Sequence, residues 1–352
     1  MAVQAHISSP SDRNGITELM HRAFGTELNR VAIFPDFQQW KYWEEHPFAT
    51  GGRSYVLNGK ERIVGHACRW PIRILTTTGA FDTFHLIDWA ADSTHAGAGL
   101  QVLRDSCDNS AALFSIGGTA MTRRMLPAFG EHLRRRTNRA LTYRVGGKLY
   151  FLNRPLRTVA PALQDSPLDW RTPGRVARNA VRSALPIPRL PPGYSFAEVS
   201  VTEIPEELWP RATSSMATSA RSLELWQYVA SCPVLQRPMF FVITGNGSPV
   251  AYFFLVLAGT QVRVADYGPA GLQSSIAKAI GTAAQLAAKQ HYADALRIAA
   301  ATSEAAVRSG LVDSGFRDSY EEEIRGLMID PGLSQIEQYR LTYLDGDALC
   351  LL

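Results

Sequence analysis

The sequence predicts an α/β protein built from two similar units, each a mixed, mostly antiparallel sheet flanked by helices. Three observations predict it. Strand-like and helix-like stretches follow the same order in both halves of the 352 residues. A short motif recurs: Trp40-Lys41-Tyr42 with Pro47, then Trp226-Gln227-Tyr228 with Pro233. A proline-dense segment, 153–193, lies between the halves. At about 100–200 residues per domain, two domains also suit the length. The expected boundaries are 1–150 for the N-terminal unit, 151–194 for a basic linker and 195–352 for the C-terminal unit.

In the first unit, residues 10–24 place Ile16, Leu19, Met20 and Phe24 at helical spacing. Residues 54–57 and 62–74 read as strands around Asn58-Gly59, a strong hairpin signal. A strand follows at 81–91. Gly97-Ala98-Gly99 then opens a helix to about Ser106. A strand at 111–116, a helix at 119–129 and a last strand at 139–145 complete the unit.

The second unit repeats the order. Strands at 240–244 and 250–257 flank Asn246-Gly247. A strand at 261–266, an alanine-rich helix at 272–289, a strand at 295–300, a helix at 303–314 and a strand at 321–328 follow. Further matches keep the same sequence order and a nearly constant offset. Val64-Gly65 falls opposite Val250-Ala251, Asp88-Trp89 opposite Asp266-Tyr267, and Ala128-Phe129-Gly130 opposite Ser314-Gly315-Phe316. Together they predict a tandem repeat.

Between the units, Pro155, Pro161, Pro167, Pro173, Pro186, Pro188, Pro191 and Pro192 stiffen the chain and exclude regular sheet. Residues 175–185 form a short basic helix by pattern, with Val176, Ala177, Ala180, Val181 and Ala184 opposite Arg178 and Arg182. It reads as a linker helix packed across both units, with contact to a membrane surface as the alternative.

With 46% apolar residues, the composition excludes a disordered chain. The net charge of +4 is too mild for a nucleic-acid binder, so no DNA partner is expected. Cys68, Cys107, Cys232 and Cys350 are scattered and form neither a disulfide framework nor a metal site. No apolar run reaches the roughly 18 residues of a membrane helix. The first residues show no signal peptide. The expectation is a cytoplasmic protein.

The order of β-turn-β, a strand ending in a loop with closely spaced glycines, then helix, strand and helix, resembles the GNAT acyltransferase superfamily. The resemblance covers residues 5–150 and 195–330. Two such units in one chain resemble the tandem-GNAT proteins. Fem-type aminoacyl transferases and N-myristoyltransferases are similar two-unit relatives. A helix N-terminus carries unpaired N–H groups and a positive dipole end, and glycine lets an anion approach. In the family this cradle holds the pyrophosphate of acetyl-CoA, in a loop of form Q/R-x-x-G-x-G/A. The matching stretch here is Asp92-Ser93-Thr94-His95-Ala96-Gly97-Ala98-Gly99-Leu100-Gln101. It departs from the pattern, with Thr94 or Ala96 in place of the basic or amide residue. The resemblance implies acetyl-CoA or another acyl-CoA as co-substrate. It would be held by Trp89, Ala90, Ala91, Ala96, Gly97, Ala98, Gly99, Leu100 and Gln101. In the second unit, Asp266-Tyr267-Gly268-Pro269-Ala270-Gly271 has no basic residue, and Pro269 removes a donor. That unit is expected to bind no CoA.

Amine acylation needs a neutral amine, a donor for the oxyanion and a proton for the leaving thiolate. Asp88 and His85 lie on the central strand, on opposite faces by alternation, and are the first candidates for base or substrate contact. Tyr143 is the candidate acid. Trp43 and Glu44, beside Glu45 and His46, are candidates for acceptor binding, as is Gly118 in Gly117-Gly118-Thr119. Thr119 equally suits a helix cap. The basic run Arg134, Arg135, Arg136 and Arg139 suits an acidic ligand or a solvated surface. No metal ligand set is expected.

The reading is an acyl-CoA-dependent N-acyltransferase acting on a small amine or amino sugar, with the acyl donor in the first half and the acceptor between halves. The rivals are a Fem-like enzyme using aminoacyl-tRNA, whose binding would weaken with salt, and a non-catalytic module of a biosynthetic pathway.

Overall fold

The computed structural model describes residues 4–107, 110–137, 142–157, 174, 177, 180–181, 183–214, 216–333 and 336–350. The chain opens with β1 (His6–Ile7) and α1 (Arg13–Phe24), which buries Ile16, Leu19 and Met20. Next come α2 (Pro35–Gln38), a π turn at Gln39–Trp43, and the strands β2 (Ser54–Asn58), β3 (Ile63–Thr76) and β4 (Gly79–Ala91). Then α3 (Ala98–Ser106), β5 (Ala112–Ile116), α4 (Ala120–Thr137) and β6 (Thr142–Pro155) complete the first half.

The second half holds β7 (Tyr194–Val199), β8 (Met216–Ser219), α5 (Leu223–Ala230), β9 (Leu235–Gly245), β10 (Ser248–Ala258) and β11 (Gln261–Gly268). It continues through α6 (Ser274–His291), β12 (Arg297–Thr302), α7 (Ala305–Asp313), β13 (Arg317–Met328) and β14 (Gln338–Arg340). At the β9–β10 turn, Asn246 and Gly247 both have positive φ, at 50° and 86°. A type I′ hairpin turn requires that pair of values.

Helix α4 and strand β6 run well past the bounds the sequence pattern predicts. Helix α4 continues past Phe129 because its apolar stripe continues, through Leu126 and Phe129 to Leu133. Gly130 does not stop it. A Cβ there would lie 2.6 Å from Leu327 Cδ1, so this glycine permits close helix–sheet packing. Strand β6 runs on through Asn153, Arg154 and Pro155, which pair with β12. The expected exclusion of sheet from residue 153 onward is therefore corrected. β6 has β12 on one side only at that end, so Pro155 can close the strand without breaking a ladder on both sides. Of the expected linker helix, residues 180–181 and 183–184 are helical, while Arg175, Val176, Arg178 and Arg182 lie outside the described residues. So does Arg139 of the basic run.

The strands form one sheet in the order β1-β2-β3-β4-β5-β13-β6-β12-β11-β10-β9-β7, with β8 joining β3 to β14. Each half thus contributes a β-meander and a crossover, and the last strands are exchanged. β13, from the second half, pairs with β5 of the first (Ile324 opposite Ile116). β6, from the first half, pairs with β12 of the second (Ala300 opposite Leu152). A long antiparallel β6–β13 pair joins them.

Three cores result. One lies under α3 and α4, around Phe84, Leu86, Val102 and Phe129. One lies under α6 and α7, around Val262, Val264, Tyr267 and Ile280. The third fills the space between the halves with aromatic side chains. There the recurring motifs meet: Trp40 stacks on Tyr228 at 4.6 Å, and each bonds the other's carbonyl.

Candidate active site

β4 and β5 run parallel and pair only at Phe84–Leu113 and His85–Phe114. Beyond His85 they part, and the edge of β4 facing β5 loses its strand partner. A bulge lies just past this split. Cys68 pairs with Ile87 and His66 with Ala90, so β4 advances three residues while β3 advances two. The extra residue resets the alternation. Phe84, Leu86, Trp89 and Ala91 face one core, while Ile87 and Ala90 face the other. Asp88 sits in the bulge with φ of 48°. Aspartate tolerates this left-handed conformation better than most residues. The expectation that His85 and Asp88 point to opposite faces is therefore wrong: both line one cavity of about 320 Å³.

This cavity occupies the split and reaches residues from both halves. Ile116 and Gly117 come from the β5 end, Phe151 from β6, Tyr320 and Glu322 from β13, and Tyr343, Gly346 and Asp347 from the C-terminal segment. Gly117 has φ of 74°, and a Cβ on it would sit 3.4 Å from the Glu322 carboxyl.

Asp88 is held by a buried network. Lys41, fully buried, reaches Asp88 Oδ2 at 2.7 Å and Asp347 Oδ2 at 2.6 Å. Tyr42 donates its hydroxyl to the same Asp88 oxygen at 2.7 Å. Burial alone would raise the Asp88 pKa, but the Lys41 ammonium and the bonds from Lys41 and Tyr42 hold it below the usual carboxylate value. Burial alone would lower the Lys41 pKa, but Asp347 and Asp88 outweigh it and keep the ammonium charged. Beneath lies His66, between Ser54 Oγ and the Asp88 carbonyl, and burial pushes its pKa down to about 4.

His85, the other candidate for base or substrate contact, is buried. Burial lowers its pKa. Its Nε2 accepts from the Ile116 amide at 3.2 Å, bracing the mouth of the split. Its Nδ1 points at the backbone by Gly346, where a Cβ would lie 2.6 Å away.

The glycine loop forms a second cavity of about 1150 Å³, lined by Ala96, Gly97, Ala98 and Gln101 with Lys60, Arg62 and His95. Gly97 is left-handed, with φ of 82°, and caps α3. Gly99 packs so closely that a Cβ would sit 3.2 Å from the Ala91 Cβ, and its carbonyl accepts from Trp89 Nε1 at 2.9 Å. Among the described residues, the first turn closes through Ala98 N to His95 O and Gln101 N to Gly97 O. The amides of Gly99 and Leu100 meet no acceptor among those residues. Asp92 anchors the loop. It accepts from the Thr94 hydroxyl and amide and pairs with Arg62 at 2.9 Å, and these contacts hold its pKa at about 2. Thr94, at the pattern's first position, thus serves the loop itself.

Several candidates lie elsewhere. Tyr143 packs, half-buried, against the core under α3 and α4. Trp43 donates to Ser8 Oγ at 3.1 Å, and the Glu44 side chain is exposed while its carbonyl accepts from Arg53. Gly118 is exposed beside the cavity, its carbonyl bonded by Arg123. Thr119 Oγ1 accepts from the Thr122 amide and caps α4. Arg134 pairs with Glu131 on the surface. Sequence reasoning missed Lys41, Tyr42, Glu322 and Asp347. The signal for Lys41 was a lysine enclosed by Trp40, Tyr42 and Trp43, which marks a buried charge.

The second half repeats the geometry with a different filling. β11 and β12 pair from Gln261 to Val264 and then part, with a bulge at the same place beside Asp266. Asp266 takes Arg221 at 2.9 Å and the Tyr252 hydroxyl at 2.6 Å, and Arg221 also holds Asp345 at 3.0 Å. Here the split is plugged. Arg340 bonds the Tyr267 carbonyl and pairs with Glu304 at 3.2 Å. Glu304 in turn accepts from the Gly271 amide at 2.7 Å and from the Tyr267 hydroxyl. A carboxylate of the chain itself occupies the place where an anionic ligand would meet the glycine loop.

No family model and no curated protein matches the chain. Solved structures do. The Saccharomyces cerevisiae N-myristoyltransferase with bound myristoyl-CoA is 15% identical, with 93% of this chain covering 82% of that one at a TM-score of 0.56. A second structure of that enzyme, with myristoyl-CoA and inhibitors, is 12% identical, with shares of 93% and 80% and a TM-score of 0.53. A GCN5-related N-acetyltransferase from Anabaena variabilis ATCC 29413 is 10% identical, with shares of 93% and 72% and a TM-score of 0.53. The chain therefore has the α/β fold of these N-acyltransferase structures. Among the described residues no helix is long and apolar enough to cross a membrane.

Proposed function

We propose that the protein is an acyl-CoA-dependent N-acyltransferase of tandem-GNAT type. The half at 1–150 holds the thioester, the half at 195–352 covers it, and a small amine or amino sugar enters between them. The observation that carries this reading is the asymmetry of the two splits. The first is open, beside a helix start with free amides and a left-handed glycine. The second is filled by Arg340 and Glu304. The resemblance to enzymes solved with myristoyl-CoA supports the same donor class.

In this reading the amides of Gly99 and Leu100 bind the pyrophosphate, and Lys60 and Arg62, with Glu61, line the cavity beside Gly97 and Ala98. Trp89, Ala90 and Ala91 form the strand edge that leads from the loop to the split. The amine nitrogen bonds to the thioester carbonyl carbon, the carbon–sulfur bond breaks, and the thiolate takes up a proton. Asp88, kept ionised by Lys41, is a weak base and a strong counter-charge, so its part is to hold the amine. His85 keeps the split braced. The held ammonium gives one proton to water before attack, and the second, released as the amide forms, passes through water to the thiolate.

The test is the melting temperature with millimolar acetyl-CoA and, separately, a long-chain acyl-CoA. Ligand at about 100 times its dissociation constant adds about 2.7 kcal/mol. The shift should vanish in Gly97→Glu and persist in Gly271→Glu, its counterpart in the plugged half. No shift with either donor refutes the reading.

A further inference from the structure

The cavity at the first split is built to receive a positive charge. Asp88 and Asp347 each give Oδ2 to Lys41, at 2.7 and 2.6 Å. Each carboxylate is about nine-tenths buried, with 10% of its side chain exposed. Neither Oδ1 has a hydrogen-bond partner among the described residues. Two carboxylates therefore share one ammonium, and both line the cavity. A third carboxylate, Glu322, stands on the β13 wall, and its ion-pair partner among the described residues is the half-exposed Arg123 at 3.6 Å. His85 adds no charge, because burial keeps it neutral and its Nε2 is an acceptor.

The β6–β13 wall also carries aromatic rings. Phe151 stacks on Tyr320 at 4.4 Å and meets the edge of Tyr343 at 5.6 Å. Tyr320 remains 54% exposed, a large ring left open at the cavity mouth. A ring face attracts both flat apolar groups and cations. A volume near 320 Å³ fits a small ligand. A metal ion is the weaker fit, because no cluster of three His, Cys, Asp or Glu suited to one occurs among the described residues. An ammonium, with three donors, matches bare carboxylate oxygens directly.

We propose that this cavity selects a primary arylalkylamine in its cationic form, with the ammonium between Asp88 and Asp347 and the ring against Phe151 and Tyr320. Asp347, brought in by the C-terminal segment, is its specificity-determining residue. The inference deepens the acyltransferase reading, on which the role of the amine as acceptor rests, but its test needs no acyl donor.

Titration calorimetry on the full chain at pH 7 should compare 2-phenylethylamine with the neutral 2-phenylethanol and the anionic 3-phenylpropionate, each with and without CoA. The amine should bind at least about 10-fold more tightly than the alcohol, as a charge-assisted hydrogen bond implies, and the anion least. Asp347→Asn should weaken amine binding about 10- to 100-fold. Because Asp347 also holds Lys41, Glu322→Gln serves as the second variant. It leaves the Lys41 network intact and should weaken the amine several-fold while leaving the alcohol unchanged. Equal binding of amine and alcohol overturns the proposal, as does wild-type amine affinity in both variants, or no amine binding with or without CoA. Amine binding without any acyl-CoA-dependent melting shift would retain this site and overturn the acyltransferase reading instead.

Discussion

Replacing Lys41 with methionine isolates the electrostatic core of the site. The ammonium is fully buried and the two carboxylates around it are nearly so. Methionine keeps most of the volume, so the packing term is small. What changes is charge: Asp88 and Asp347 lose their shared cation. Removing one partner of a buried pair costs about 3–5 kcal/mol. At roughly 2–4 °C per kcal/mol for domains of 150–250 residues, the melting temperature should fall by about 6–20 °C at pH 7.

The sign with pH follows from the shifts. The Lys41 pKa is raised, so its contribution is full below the unfolded lysine value and is lost only above the folded one, beyond the working range. The Asp88 pKa is lowered, so its contribution is present above the unfolded value of about 3.9 and fades as pH falls through the folded value. In Lys41→Met, burial is no longer countered by the ammonium, the Tyr42 bond alone is a small offset, and Asp88 takes up a proton at higher pH. The deficit should therefore be largest near neutrality and smaller at pH 4.5. Differential scanning calorimetry at the two pH values measures it. A loss under about 2 °C at pH 7, or an equal deficit at both pH values, refutes the reasoning.

The remaining predictions concern the second half and the thiols. Arg221→Met strips Asp266 and Asp345 of a fully buried partner and should also cost about 3–5 kcal/mol by urea unfolding. Because the plugged split holds no donor, the acyl-CoA-dependent melting increment should survive in this variant; its disappearance would place the donor in the wrong half. All four cysteines are buried and reduced, and burial pushes the Cys68 thiol up to about 12. Native protein at pH 7.5 should react slowly with a thiol reagent, and four thiols should appear in guanidinium. Rapid reaction of two or more in the native state would contradict the packing, including the 3.6 Å contact of Cys232 with Cys350.

The sequence by itself determined the central elements of each half and their order, but not α2, α5 or the strands β1, β7, β8 and β14. Periodicity located α1 through Ile16, Leu19 and Met20, and Asn246-Gly247 specified its turn because only such residues accept two positive φ values in succession. The matched pairs Asp88-Trp89 and Asp266-Tyr267 marked equivalent strand positions, because both signals are local in the chain. The glycine loop was legible for the same reason. Tertiary structure alone decided the rest. The exchange of β6 and β13 is set by which edges meet, and the side-chain pattern of a strand does not name its neighbour. The bulge that turns Asp88 into the same cavity as His85 is one inserted residue, invisible to alternation until the register with β3 is known. Lys41 and Asp347 lie far apart in the chain, and only the fold makes them a pair. The plug of Arg340 and Glu304 is likewise non-local, and it makes two units of the same fold unequal. Charge in a protein interior is meaningful only with its partners, and those partners are assigned by packing.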